Sequence, residues 1–303
     1  MKLATTTEDF NRFCKTYKER IKAIYDAGFR YVDISFYSVE ESEELLGDNR
    51  EENARDIKAY ADRLGVKLIQ AHAPGVNPYS GDEINEDAVA DIIHSIEACG
   101  ILGIPSTVCH VAYNDNWDKK KFMEKNMEFY ARLFPIMEKT GVNVLCENST
   151  RVNIGKGYYT ISGKQLKELV EYINHPLFHI CWDTGHGNCE GLQYDEIMAM
   201  SSELYALHIN DNTGMSDLHT IPFLGTVNMD DVMNGLIDSG FGGYFTFESG
   251  NVLRPSNYWL GDRRKFERDT RLLEPTFEMQ KEIERFMYNV GVHILKSYDC
   301  FEE

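Results

Sequence analysis

The 303-residue chain has no apolar run near the roughly 20 residues that a bilayer-spanning helix needs, so no transmembrane helix and no membrane partner are expected. It has no CxxC pair, and its seven cysteines (14, 99, 109, 146, 181, 189 and 300) are an odd, scattered set. The first ten residues lack a basic start followed by an apolar stretch, so no signal peptide is expected. These absences together predict reduced thiols and a cytoplasmic location. Positive charge is scarce as well. Lys and Arg total 31 against 49 Asp and Glu, a net charge of −18. Such a surface repels polyanions, and without a basic stripe no nucleic-acid partner is expected.

What the sequence does contain is alternation. Hydrophobic residues make up 43% and charged residues 26%, ordinary for a globular protein. Short strand patterns fall at about 3–7, 31–37, 66–71, 106–112, 142–147, 178–183, 204–210 and 244–248. Helical spacing lies between them: 8–27 with Phe10, Phe13, Tyr17, Ile21 and Ile24 on one face, 50–64, a segment carrying Val89, Ile92, Ile93 and Ile96, then 118–139, 163–173, 194–202 and 228–239. Each parallel step needs a crossover, so eight strands with seven intervening helices predict an α/β fold, a (β/α)8 TIM barrel. Cys109, Cys146 and Cys181 lie inside apolar strands and are expected to act as small core residues. No linker interrupts the chain before about residue 250, so residues 1–303 are read as one domain, barrel to about 250 and helical tail from about 251. The tail is locally basic (Arg254, Arg263, Arg264, Arg268, Arg271), after which Pro275 opens a long helix with Ile283, Phe286, Met287, Val290 and Ile294 on one face. That helix is expected to cover the barrel or to join a homo-oligomer.

From the third strand onward, every strand ends in a residue able to bind metal: His72, His110, Glu147, Asp183, His208 and Glu248. In a (β/α)8 barrel all such ends open on one face, where active sites of this fold lie. A single His there is ordinarily a satisfied polar residue. Carboxylates at the ends of apolar strands (Val144-Leu145-Cys146-Glu147 and Phe245-Thr246-Phe247-Glu248) must instead be paired or bound to a cation, because burying them alone is costly. Glu147, Asp183, His208 and Glu248 are therefore the expected metal ligands. Three carboxylates and one imidazole suit Mn²⁺ first, with Mg²⁺, Co²⁺ or Zn²⁺ as alternatives.

The stretches Gln70-Ala71-His72-Ala73-Pro74, Glu147-Asn148-Ser149, Trp182-Asp183-Thr184-Gly185-His186, Leu207-His208-Ile209-Asn210-Asp211 and Phe247-Glu248 resemble the xylose-isomerase-like barrel superfamily over about residues 20–250. That group holds sugar isomerases, ketose epimerases, inosose dehydratases and apurinic-site endonucleases. The resemblance implies a metal-dependent isomerase or epimerase acting through an enediolate on a small carbohydrate, a sugar or sugar phosphate. It assigns Glu147, Asp183, His208 and Glu248 as metal ligands, Glu147 and Glu248 as the proton-transfer pair, and His186 as a substrate contact.

The endonuclease branch implies a rival reading, a trinuclear zinc phosphodiesterase. Its ligand pattern also finds a residue at every position here, adding His72, His110, His186, Asp217 and His219 as second-metal ligands or substrate contacts. The negative charge weighs against it, as do the sugar-enzyme-like loop after His72 and the H-x-x-P-x-x-G run from His219 to Gly225. Two positions depart from the ketose epimerases: Gly214 stands where they carry Arg, and Asn153 where they carry Glu. A dehydratase or lyase on a keto-sugar or inosose, including carbon–glycoside cleavage, is therefore a further alternative. Other candidates are Gly155-Lys156-Gly157 and Arg254 as anion contacts, and Trp117 and Trp182 as sugar platforms or core residues.

Overall fold

The alternation resolves into a closed barrel in the computed structural model, which describes residues 1–253 and 273–302. The eight barrel strands are β1 (Lys2–Thr6), β2 (Tyr31–Ser35), β3 (Lys67–His72), β4 (Ser106–Val108), β5 (Asn143–Glu147), β6 (Phe178–Asp183), β7 (Leu204–His208) and β8 (Tyr244–Phe247). They pair in parallel in chain order, and β8 returns to β1 with Lys2 beside Tyr244 and Thr5 beside Phe247. Closure between β7 and β8 is a backbone bridge. The Ile209 N–H donates to the Thr246 carbonyl at 2.8 Å, and the Glu248 N–H donates to the Ile209 carbonyl at 3.0 Å. This is the predicted TIM barrel, followed by a C-terminal helix at Phe277–Ser297.

Local chemistry sets the boundaries and corrects several expectations. The helical spacing over 8–27 spans two elements, a 3₁₀ turn at Thr7–Phe10 and a helix at Tyr17–Ala27. Thr16 and Glu19 form a reciprocal capping box that starts the helix at Tyr17. The apolar period runs on through Phe10 because the turn packs on the same core. The expected helix 118–139 breaks into Lys119–Ala131 and Phe134–Thr140, since Pro135 cannot donate to the preceding turn and sits in the first turn of a new helix. The fourth strand ends at Val108, and the seventh at His208. A small hairpin (Tyr79–Ser80 with Glu83–Ile84) follows β3.

The C-terminal helix starts after Thr276, whose side chain accepts from the Met279 N–H, with Pro275 just outside. Met287, Val290 and Ile294 are buried and Ile283 is partly so, but Phe286 is 48% exposed and leaves the predicted face. The helix lies close on the barrel because residue 291 is glycine: a Cβ there would come within 2.6 Å of Leu3 and 2.8 Å of Phe247. Arg254, Arg263, Arg264, Arg268 and Arg271 lie outside the described residues.

Most of the core lies between the barrel and its helices. The barrel interior holds a second, smaller cluster of Val108, Leu145, Cys181 and Ala206, contributed by four successive strands. This layer closes the barrel beneath the strand ends, so polar side chains one step further along β3 to β8 form the floor of an open mouth. All seven thiols are free; Cys109, Cys146 and Cys181 are buried as expected. Among the described residues no helix is long and apolar enough to cross a membrane.

Candidate metal centre and substrate cavity

Strand register brings the ionisable strand ends together. Ser35 lies beside His72, His72 beside Val108, Glu147 beside Cys181, and Asp183 beside His208. Glu147, Asp183, His208 and Glu248 each offer one ligand atom, and these four atoms lie within 4.8 Å of one another. Three further groups meet the same spacing: His72 with His110 and Glu147, Asp183 with His186 and His219, and Glu147 with Cys181 and His208. These groups take in eight of the nine residues singled out by the sequence, and the ninth, Asp217, lines the same mouth. It opens into a cavity of about 860 Å³.

Glu147 is the hub. Its Oε1 is 2.5 Å from His208 Nδ1 and its Oε2 is 3.0 Å from His110 Nε2. Burial works against its charge, but the His208 and His110 imidazoles hold the carboxyl well below its usual range. His72 donates from Nδ1 to the Ala73 carbonyl at 2.7 Å, which leaves the Nε2 lone pair facing His110 at 3.2 Å. Burial, then the neighbouring His110, pushes His72 down to about 3, so it is neutral and free to coordinate.

The second half of the mouth centres on Asp217. Its Oδ2 lies 3.1 Å from His186 Nε2 and 3.0 Å from His219 Nε2, and accepts from Asn153 Nδ2 at 2.7 Å. His186 donates from Nδ1 to the Asn148 carbonyl at 2.9 Å, and His219 from Nδ1 to the Glu248 carbonyl at 3.0 Å. Both rings therefore turn Nε2 toward Asp217. Burial opposes charge on His219, yet Asp217 raises it to about 9. Asp217 Oδ1 is buried without a partner among the described residues.

Asp183 is fully buried and caps the turn Thr184–Glu190, accepting from the His186 N–H at 2.6 Å. Asn210 Nδ2 donates to its other oxygen at 2.6 Å. Asn148 clamps its backbone, accepting from the Asp183 N–H at 2.7 Å and donating to its carbonyl at 3.0 Å. These asparagines stand inside the recognised motifs, but their orienting role depends on contacts across strands. Glu248 faces His208 and His219, each at 3.4 Å from its Oε2. Burial, then the Glu147 and Asp183 carboxylates, pushes Glu248 well above its usual range.

That crowding tests the fit of a cation. Three carboxylates sharing one buried pocket with a single imidazole repel one another, and a divalent ion relieves the repulsion directly. The donors are mostly hard oxygen, and three of the surrounding histidines present an unprotonated or carboxylate-facing Nε2. The residues fit a divalent metal.

Other expectations are redistributed. Trp117 and Trp182 are buried in the core, their indole N–H groups donating to Asp82 and Gln193, and neither faces the cavity. Gly155 and Gly157 are needed for packing: a Cβ on Gly157 would stand 2.3 Å from the Asn114 carbonyl. Lys156 is tied through its N–H to Asp115 at 2.9 Å. Two wall residues escaped the sequence reading. Glu8, after β1, accepts from Ser35 Oγ at 2.9 Å, and Tyr37 lies edge-on to His72 and His110 with centroids 5.3 and 6.1 Å apart. The signal available for both was position, since each follows a strand end on the mouth side.

A family model described as "Xylose isomerase-like TIM barrel" matches residues 21–271. The fold is similar to that of the IOLI protein with a bound zinc atom (TM-score 0.74, 18% identity, 98% of this chain and 99% of that one). It is also similar to D-psicose 3-epimerase from Clostridium cellulolyticum H10 (TM-score 0.71, 17% identity, 97% and 99%). In sequence, a probable endonuclease 4 of Methanoculleus marisnigri is 26% identical over 168 residues, 54% of this chain and 58% of that protein.

Proposed function

Because the chain belongs to the xylose isomerase-like TIM-barrel family, we propose that it is a divalent-metal-dependent isomerase or epimerase of a sugar or sugar phosphate. The observation that carries the reading is the four-residue group Glu147, Asp183, His208 and Glu248, whose ligand atoms lie within 4.8 Å of one another beneath an 860 Å³ cavity. These four residues would hold the ion, with Mn²⁺ the expected metal. When bound, it would supply Lewis-acid polarisation of a substrate carbonyl and its neighbouring hydroxyl.

The remaining work belongs to the side chains. Glu147 and Glu248 come from β5 and the end of β8, far apart around the barrel, and both reach the cavity. One removes the proton from the carbon beside the carbonyl, giving an enediolate. Return of a proton from the other glutamate to the same carbon gives the epimer, whereas return to the neighbouring carbon gives the isomer. His110 and His208, hydrogen-bonded to Glu147, set its orientation and charge. His72, His186, Asp217 and His219 are positioned to contact substrate hydroxyls.

The test is proton exchange. The Mn²⁺-loaded protein, incubated in D₂O with a panel of ketoses and their phosphates, should place deuterium beside the carbonyl of at least one sugar, read by NMR. Glu248→Gln should cut that exchange by 100-fold or more, on the order expected for a lost general acid–base group. Exchange that persists at the wild-type rate in Glu248→Gln would sink the proton-transfer role.

A second reading, a zinc phosphodiesterase, is favoured by one observation: the groups around Glu147 and Asp183 are adjacent and could hold more than one ion. The net charge of −18 and a cavity wall containing Tyr37, Val152 and Ile154 speak for a small carbohydrate and against a nucleic-acid backbone. Metal analysis separates them, one ion per chain supporting sugar chemistry and three zincs supporting the phosphodiesterase.

A further inference from the structure

The run Gly155-Lys156-Gly157 offers an anion contact in the sequence, and the fold sets Lys156 and Gly157 away from the strand-end mouth, on a second cavity of about 400 Å³. That volume lies within the ~300–1,000 Å³ range of clefts that hold small ligands. Ile154 and Tyr159 line both cavities and form the wall between them. The charged side chains around the second cavity are Lys119, Arg151 and Lys156 against one acid, Asp118. In a chain of net charge −18, this lining is positive on balance.

The loop carrying two of these cations is pinned through its backbone, which leaves their side chains available. The Gly155 N–H donates to the Tyr113 hydroxyl at 2.6 Å, the Lys156 N–H to Asp115 Oδ1 at 2.9 Å, and the Tyr158 N–H to the Trp117 carbonyl at 3.0 Å. The Lys156 ammonium has no ion-pair partner among the described residues. Arg151 donates its N–H to Glu190 at 2.6 Å, but its guanidinium Nε comes no nearer that carboxylate than 3.9 Å. Lys119 pairs with Glu168 at 2.6 Å, an exposed pair that an added anion can share. Asp118 is spent on its own helix, Lys119–Ala131, where it accepts from the Lys121 N–H at 2.9 Å. The Lys119 and Lys120 N–H groups at that helix start have no acceptor among the described residues. Cations and open helix-terminal donors on one concavity are the components of an anion site.

We propose that this second cavity is a phosphate site, which holds a phosphate group on Lys119, Arg151, Lys156 and the start of the helix Lys119–Ala131. Inorganic phosphate and a small phosphate monoester share that chemistry. The site lies on the far side of Ile154 and Tyr159 from the mouth, so it fills independently of the metal centre and of whatever reaction the mouth carries out. An occupant bears on the same loop whose Asn153 donates to Asp217 at 2.7 Å, which places it against the back of the main cavity's wall.

The test reads binding and not turnover, so it stands apart from the exchange experiment. Inorganic phosphate and glycerol 3-phosphate are titrated by calorimetry into the full chain, once loaded with Mn²⁺ and once stripped of metal and desalted. At least one of them should bind saturably at a single site, with the same affinity in both preparations. The tighter of the two identifies the source, free ion or monoester. Arg151→Glu and Lys156→Glu should each weaken binding roughly tenfold, the scale of one lost charge-assisted contact, and the milder Arg151→Gln and Lys156→Gln should weaken it less. Lys58→Glu, the same charge change on the helix Arg50–Leu64, should leave it unaltered. Absence of saturable binding, binding that requires Mn²⁺, or equal losses in Lys58→Glu and the cavity variants would overturn the site. Titration of an unaltered affinity in both Arg151→Glu and Lys156→Glu would do the same.

Discussion

Replacing Glu284 with glutamine should stabilise the protein at alkaline pH and change little in mild acid. Glu284, on the C-terminal helix, is fully buried, and neither of its oxygens has a donor among the described residues; its carboxyl neighbour is Asp9. Asp9 is also buried, with Oδ2 accepting from Thr5 Oγ1 at 2.9 Å and Oδ1 unpartnered. Burial raises Asp9 from 3.8 to about 7, and burial followed by Asp9 itself raises Glu284 well above its usual range. Two acids buried side by side are tolerated while they share a proton. Below pH 4 both the folded and unfolded chains are protonated, and the pair costs nothing. As pH rises from about 4 to about 7, the unfolded chain ionises first and stability falls. At about 1.4 kcal/mol for each pH unit between 3.8 and 7, the loss approaches roughly 4 kcal/mol for Asp9. In Glu284→Gln the amide can donate to the Asp9 carboxylate and removes much of that loss. Thermal melts at pH 5 and pH 8 should show a Tm gain for the variant that grows with pH and reaches about 5 °C at pH 8. A constant offset between variant and wild type across that range would refute the shared-proton account.

Asp183→Asn should separate metal binding from folding. Asparagine caps a helix about as well as aspartate, so the turn from Thr184 should survive, whereas Mn²⁺ at 100 times its Kd should stabilise the wild type by about 2.7 kcal/mol and the variant by much less, as read by thermal shift with and without a chelator. Leu145→Ala removes the largest member of the interior layer beneath the mouth and should cost about 2–5 kcal/mol in a guanidinium melt, with the m-value unchanged.

The barrel was legible because its signals are local. Alternating apolar residues report a strand, a 3.6-residue period reports a helix, and an acid ending an apolar run reports a buried mouth; each needs only neighbours in sequence. The same reasoning failed where one period crossed two elements, at 8–27 and 118–139, since a single apolar face is compatible with a break when both parts pack on one core. It also failed for Phe286, whose place in the period puts it beside Met287 but whose side chain meets solvent.

What tertiary structure alone decided is which faces and which partners meet. In β7, strict alternation would put Leu204, Ala206 and His208 on one side. The register shift between Ile180 and Cys181 leaves Tyr205 as an extra residue, so Leu204 joins the outer core while Ala206 enters the barrel interior and His208 the mouth. The Asp217–His186–His219 knot, the two asparagines that brace Asp183, the open ring of Tyr37 and the acid pair of Asp9 and Glu284 arise in the same way. Residue type and spacing determined that ionisable groups would stand at the strand ends. Their distances and protonation follow from barrel closure and strand register, because those are set by contacts between segments that the linear order keeps far apart.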